Sequence, residues 1–233
     1  KKLVVLRKIE IKKKINPFEL FNNLLQLYPQ ALVYFWHHPK AGTWTGSSPE
    51  RFFRINEYGL KTMSLAGTLP FNSEEIYHWS TKEKLEQELV TKSIIKVLTD
   101  LFKGEDIECS DTYTKRAGNL VHLCNDISIK KINVSIKRII KNLHPTPAVG
   151  GIPQREGIDF IGFNEKFNRE YYSGFMGDVD LLGEGNLYVN LRCARLGKES
   201  ISLYVGAGIT AGSNAELEWI ETQNKAQTIL QAL

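Results

Sequence analysis

Apolar residues fill the centre of the stretch from Lys2 to Ile11, with basic residues at both flanks, and this predicts a strand. Asn16-Pro17 then opens a helix. Asn caps it, and Pro takes the first helical position, where its missing N–H costs nothing. Phe18, Phe21, Leu24 and Leu25 give that helix its apolar face, and it ends before Pro29. Ala31 to His37, Thr43 to Ser47, Arg51 to Ile55 and Leu60 to Ala66 are β-branched or aromatic runs separated by turn residues, hence strands. Ser80 with Glu83 forms a capping box for a helix from Thr81 to about Phe102, with Leu85, Leu89, Ile94, Ile95 and Leu98 on its buried side. Glu105 to Tyr113 reads as a strand. No regular element can hold His144-Pro145-Thr146-Pro147-Ala148-Val149-Gly150-Gly151. The last third predicts strands at Gly174 to Asp180, Asn186 to Ala194 and Ser200 to Ala207, then a helix from Ala215 to about Ala232, opened by Ser213 with Glu216. Strands outnumber helices and arrive in runs with short turns, which favours an α+β fold with antiparallel sheets.

Composition narrows the class. The 233 residues are 42% hydrophobic and 24% charged, which excludes a disordered tail, a collagen-like fibre and a disulfide-stapled miniprotein. No linker divides the chain, so residues 1–233 read as a single domain. No apolar run approaches the ~18–20 residues that span a bilayer, and charge interrupts the first residues too soon for a signal peptide. The expectation is a cytoplasmic protein with no membrane partner. Net charge is +4. Its local clusters, Lys12-Lys13-Lys14 and Lys130-Lys131 with Lys137-Arg138, lack the interleaved aromatics of a nucleic-acid face and read as solvated surface. Cys109, Cys124 and Cys193 have no metal-ligand spacing and read as buried thiols.

Several positions carry candidate chemistry. Glu86 sits near the edge of a buried helical stripe. Glu218, Glu221 and Lys225 are spaced i, i+3, i+7 along one helix face. That face is either solvated with one salt bridge or, with Glu86, a site for a hard cation such as Mg²⁺. Gly206-Ala207-Gly208 follows a predicted strand and could bring main-chain N–H groups close to an anion. Arg192 lies inside an apolar predicted strand, where it either faces solvent or takes a carboxylate ligand. His122 reads as a satisfied core histidine or a rim residue.

One series of motifs runs through nearly the whole chain in order. It comprises Lys2-x-x-x-x-Arg7, Gly46-Ser47-Ser48-Pro49-Glu50, Leu65-Ala66-Gly67-Thr68, Glu86-Gln87-Glu88-Leu89-Val90, Val121-His122-Leu123, His144 to Gly151, Arg169-x-x-Tyr172-x-Gly174, Leu191-Arg192-Cys193-Ala194, Gly206-Ala207-Gly208-Ile209 and Glu218-Trp219-x-Glu221-x-x-x-Lys225. The series resembles the chorismate-utilising enzymes, most closely the isochorismate synthases of menaquinone and siderophore pathways. The resemblance implies the anthranilate synthase large-subunit fold, antiparallel sheets in a layered core with helices outside. It implies Glu86 and Glu221 as Mg²⁺ ligands, Lys2 as the base that activates water, and Glu50 as the general acid. It further implies Tyr172, Arg192, Gly206, Gly208 and Lys225 around the substrate carboxylates, with Gly67, Thr68, His122 and Ala148 lining the same pocket.

The implied reaction is the isomerisation of chorismate, water entering at C2 while the C4 hydroxyl leaves. Salicylate synthases resemble a pattern with Thr where this chain has Ala148, and aminodeoxychorismate synthases one with Lys where it has Ala66. Salicylate synthesis and a chorismate-binding fragment without turnover are the alternatives. The implied partner is small-molecule chorismate, acting on a monomer or homodimer, with no nucleic acid. Two departures stand out: Gln87 replaces the histidine beside the first metal glutamate, and family members carry a substantial segment before the base lysine, so the sequence reads as N-terminally truncated.

Overall fold

The computed structural model describes residues 1–74, 76–181 and 183–233. Two antiparallel sheets form its core. The first contains β1 (Lys2–Ile11), β2 (Leu32–His38), β3 (Gly42–Ser48), β9 (Gly151–Ile152), β12 (Cys193–Leu196) and β13 (Ile201–Thr210), in the order β2-β3-β12-β13-β1-β9. The second contains β4 (Arg51–Asn56), β5 (Gly59–Pro70), β6 (Ile107–Cys109), β7 (Tyr113–Ala117), β8 (Leu120–Ile129), β10 (Phe175–Val179) and β11 (Gly185–Val189). Its order is β10-β11-β4-β5-β8-β6, with β7 also on β8. The helices are α1 (Pro17–Leu27), α2 (Thr81–Leu101), α3 (Ile136–Leu143), α4 (Gln154–Asn164) and α5 (Ala215–Leu230). The antiparallel α+β class follows from the sequence pattern as expected.

Local signals place most elements. Asn16 caps α1 by accepting from Phe18 N, and the Ser80/Glu83 capping box opens α2. Four expectations need correction. On α1 the buried residues are Leu20 and Leu24, whereas Phe18 and Leu25 are exposed. On α2, Leu85 is exposed; the buried stripe runs through Glu86, Gln87, Val90, Thr91, Ile94 and Leu98, so Glu86 lies within it rather than at its edge. The span from Asn186 to Ala194 breaks at Asn190 to Arg192 and passes from one sheet to the other. The cap of α5 is Asn214, which accepts from Glu216 N and Leu217 N. Ser213 instead accepts from Thr210 N.

The largest core cluster packs α2 and α3 on the second sheet through Val90, Leu98, Phe102, Ile127 and Ile139, among others. A second unites α1 and the end of α5 with the first sheet through Leu20, Leu24, Leu203 and Ile229. Leu98 is fully buried. Truncating it to alanine is expected to cost about 2–5 kcal/mol in denaturant unfolding, the range for a core leucine whose cavity collapses only partly. A cost under ~1 kcal/mol would contradict that packing. Cys124 and Cys193 are buried as expected, but Cys109 is exposed, on the short outer strand β6. The Lys12–Lys14 and Lys130–Lys131 clusters lie exposed. Among the described residues, no helix is long and apolar enough to cross a membrane.

Candidate active site

The site forms where α2, α5 and the loops of the second sheet meet β1 and β13. β1 pairs with β13 along its whole length and with β9 at Lys2 and Leu3, so Lys2 is buried and fixed between two strands. Its Nζ lies 3.1 Å from Glu86 Oε1. Gly208 sits opposite Val4 on β13. A Cβ there would lie 2.2 Å from Glu86 Oε1 and 2.8 Å from Lys2 Cε. Gly206 is equally confined, since its Cβ would meet Val5 O at 2.9 Å and Tyr172 Oη at 3.1 Å. Gly206 and Gly208 therefore stand within a strand, where they make room for side chains, and do not form the anion-cradling loop the sequence suggests. We expect Gly208→Ala to fold, because the atoms it strikes are ends of flexible side chains. It should displace the Glu86 carboxylate and cut turnover at least tenfold in a steady-state assay; an unchanged rate would contradict this packing.

The acidic groups converge on one ammonium. Lys82, one turn before Glu86 on α2, lies 3.4 Å from Glu86 Oε2 and 2.8 Å from Glu218 Oε1. Burial opposes its charge, but Glu86, Glu218 and Glu221 outweigh that and hold the ammonium above the ordinary lysine range. Glu218 is buried, which removes the reading of this helix face as solvated, and its Oε2 has no hydrogen-bond partner within the protein. Glu221 accepts from Lys225 Nζ at 2.6 Å. Burial works against its charge too, yet Lys225, Lys82 and the Thr68 hydroxyl keep its carboxyl below the usual range. Lys225 also donates to Gly206 O at 2.9 Å.

Arg192 occupies the crossover between the sheets in a left-handed conformation, φ 48°, and not a strand interior. Its Nη1 donates to Thr228 Oγ1 at 3.1 Å, and its Nη2 lies 3.2 Å from His122 Nε2. Burial brings its pKa down to about 10, so it remains a cation at neutral pH. His122 Nδ1 lies 2.7 Å from Gly67 O. Arginine can only donate, so His122 Nε2 accepts and Nδ1 carries the proton. Burial, reinforced by Arg192 and Lys225, pushes His122 down to about 3 and keeps it neutral. Gly67 supplies that carbonyl from an irregularity of β5 between Ala66 and Leu69, at φ +67°.

Glu50 follows β3 in the turn before β4. It is 3% exposed, and burial raises its carboxyl to about 7 although Lys2, Lys225 and Arg192 pull it down. Tyr172 is buried, and burial raises its phenol above the ordinary range. These residues, with Thr68 and Ala148, line one cavity. Every site residue expected from the sequence is on its wall. Its free interior is about 50 Å³, and the Lys2–Glu86 and Lys225–Glu221 pairs both belong to its wall.

Sequence reasoning left out Lys82 and the burial of Glu218. The signal was present: Glu83-x-x-Glu86 and Glu218-x-x-Glu221 repeat one spacing, with Lys82 four residues before Glu86. Among the described residues, no three acidic, imidazole or thiol groups are close enough as they lie to enclose a metal. The donor chemistry nevertheless fits a hard cation: carboxylates from two helices already gather around one ammonium, and Glu218 Oε2 is buried without a partner.

The family model described as chorismate binding enzyme matches residues 1–233. The isochorismate synthase MenF of Escherichia coli K12 is 34% identical over 197 residues, covering 80% of this chain and 45% of that protein. The isochorismate synthase EntC of the same strain is 31% identical, covering 84% of this chain and 53% of its own length. Among solved structures, a putative 2,3-dihydroxybenzoate-specific isochorismate synthase, DhbC, from Bacillus anthracis matches with a TM-score of 0.90 and 29% identity over 100% of this chain and 66% of that one. Anthranilate synthase component I from Streptococcus pneumoniae matches in fold, with a TM-score of 0.84 at 20% identity over 98% of this chain and 52% of that one. This chain spans about half the length of the curated relatives it matches. By sequence and by fold, it belongs to the chorismate-binding enzyme family.

Proposed function

We propose that this chain carries the active site of an Mg²⁺-dependent isomerase that converts chorismate to isochorismate. The observation that carries the reading is the placing of a buried lysine and a buried, near-neutral carboxyl group, Lys2 and Glu50, on the wall of one cavity rich in fixed cations. The relatives named isochorismate synthase supply the reaction.

Chorismate is a dianion on a six-membered ring, so its recognition needs positive charge at two points. Arg192, held by Thr228 and His122, offers a guanidinium to one carboxylate. Lys225 stands ready for the other. Glu86 and Glu221, with Glu218 beside them, would hold Mg²⁺ in the place Lys82 now serves. The ion when bound would neutralise carboxylate charge and orient the ring. Lys2 acts as the base only as the neutral amine, so it first gives up a proton on parting from Glu86; the amine then takes a proton from water as the water oxygen bonds to C2. The ring double bonds shift, the C4–O bond breaks, and Glu50 gives its proton to the departing hydroxide. One water enters and one leaves, so the product is an isomer. Because the cavity as it lies has little free volume, ring binding opens the Lys2–Glu86 and Lys225–Glu221 pairs.

The test is incubation with chorismate and Mg²⁺, followed by chromatography. Isochorismate alone is expected. Salicylate with pyruvate would replace this reading by salicylate synthesis, and calorimetric binding of chorismate without product would replace it by a binding module.

A further inference from the structure

The first two turns of α2 carry Glu86 to the site, yet among the described residues these turns bury no apolar side chain. Between Thr81 and Gln87 the buried residues are Glu86 and Gln87 themselves. Leu85 is exposed, and the buried apolar contacts with the second sheet begin at Val90. Ion pairs tie this end of the helix to its surroundings, Lys82 to Glu218 on α5 and Glu86 to Lys2 on β1. Both ties are given up in the proposed reaction, when Lys82 cedes its place and Lys2 parts from Glu86. A neutral tie is needed once they are gone.

Gln87 is placed to supply it. Ser64 on β5 and Asn125 on β8 are direct partners in the sheet register, and the Gln87 amide spans the two. Its Nε2 lies 2.8 Å from Ser64 Oγ and 2.8 Å from Asn125 Oδ1. The direction is fixed from the far side. Asn125 Nδ2 donates at 2.9 Å to Ser110 O and to Thr112 Oγ1, so its Oδ1 is turned toward α2 and Gln87 meets it as a donor. One turn on, Thr91 Oγ1 joins the group, 2.7 Å from Ser64 Oγ and 3.2 Å from Asn125 Oδ1. The arrangement has a cost: Gln87 Oε1 is buried with no hydrogen-bond partner among the described residues. A leucine at this place would carry no such orphan. A buried amide fixes one arrangement of helix on sheet, where apolar contact tolerates sliding.

We propose that Gln87 is a positioning residue for the metal site. By clamping the first turns of α2 to β5 and β8, it holds the Glu86 carboxylate where it can share a divalent cation with Glu221. This role rests on the reading of Glu86 as a metal ligand.

Calorimetric titration of the intact protein with Mg²⁺, beside thermal unfolding, tests it. Gln87→Leu should weaken Mg²⁺ binding about tenfold, within the range for losing a group that orients a metal ligand. Gln87→His, whose imidazole can still donate to one of the two acceptors, should stay within about threefold of the parent. Ile94→Val, a core change two turns further along the same helix, should lower Tm and leave Mg²⁺ affinity unchanged. If Gln87→Leu does not fold, Ser64→Ala takes its place; it removes one acceptor from the sheet side and should cost about threefold in affinity. Unchanged Mg²⁺ affinity in folded Gln87→Leu or, failing that, in Ser64→Ala would overturn the role, as would an equal loss in Ile94→Val. A parent protein that binds Mg²⁺ no better than Glu86→Gln would overturn the metal reading itself, and the role of Gln87 with it.

Discussion

Replacing Lys2 by alanine is expected to leave the fold intact and lower turnover of chorismate by about 10²–10⁴-fold, the usual worth of a positioned general base. The backbone at this position is held by pairing with β13 on one side and β9 on the other, and the side chain contributes nothing to that ladder. Removing the amine does not orphan Glu86, because Lys82 remains 3.4 Å from its other oxygen. Far-UV circular dichroism and thermal unfolding should therefore match the parent protein. Lys2→Arg separates base from charge. It keeps the cation, yet a guanidinium cannot surrender its proton near neutrality, so it too should be inactive. An active Lys2→Arg protein would reduce Lys2 to an electrostatic role.

Glu50→Gln should cost a similar factor and should also change the shape of the pH profile. The acid form of Glu50 is the working form, and its carboxyl is pushed up to about 7. The sign follows. Below that value Glu50 holds its proton and kcat/KM is limited elsewhere; as pH rises through about 7 the proton is lost and kcat/KM falls. Glutamine cannot titrate, so the residual activity of Glu50→Gln should show no such limb. His122 cannot produce it, since it is neutral from about 3 upward. A parental profile flat across pH 6–8, or an alkaline limb that persists in Glu50→Gln, would remove Glu50 from the role of acid.

The elements bounded by strong local chemistry were legible in the sequence. Asn16-Pro17 and the Ser80/Glu83 box announced α1 and α2, and the antiparallel class followed from short turns between β-branched runs. What could not be read was decided by tertiary packing. β8 is buried along nearly its whole length between β5 and β7, so no alternation marked it as a strand. α4 carries Gly157 and Gly162 in its body, a poor helical sequence, and no element was expected there. Gly157 is present because its Cα packs against Gly151, where a Cβ would come within 2.7 Å. Local pattern implied a continuous strand through Arg192, but the chain changes sheets there, and the arginine takes positive φ to do so.

The candidate site followed a similar division. The residues named from motif order lie on one cavity wall. The reason for its glycines was not legible, because the atoms they accommodate, Glu86 Oε1 and Lys2 Cε, come from distant parts of the chain. The ammonium of Lys82 was legible in part: its place four residues before Glu86 lies in the sequence, whereas its contact with Glu218 on α5 does not.

In the proposed reaction a solvent water, activated at Lys2, enters the ring at C2 as the C4 hydroxyl departs under protonation by Glu50. Running the reaction in ¹⁸O-labelled water, with the product's oxygens located by mass spectrometry, tests this most directly. One ¹⁸O atom at the C2 hydroxyl of isochorismate is the predicted result. Unlabelled isochorismate would mean that the hydroxyl migrates within the substrate, and the roles given to Lys2 and Glu50 would be wrong.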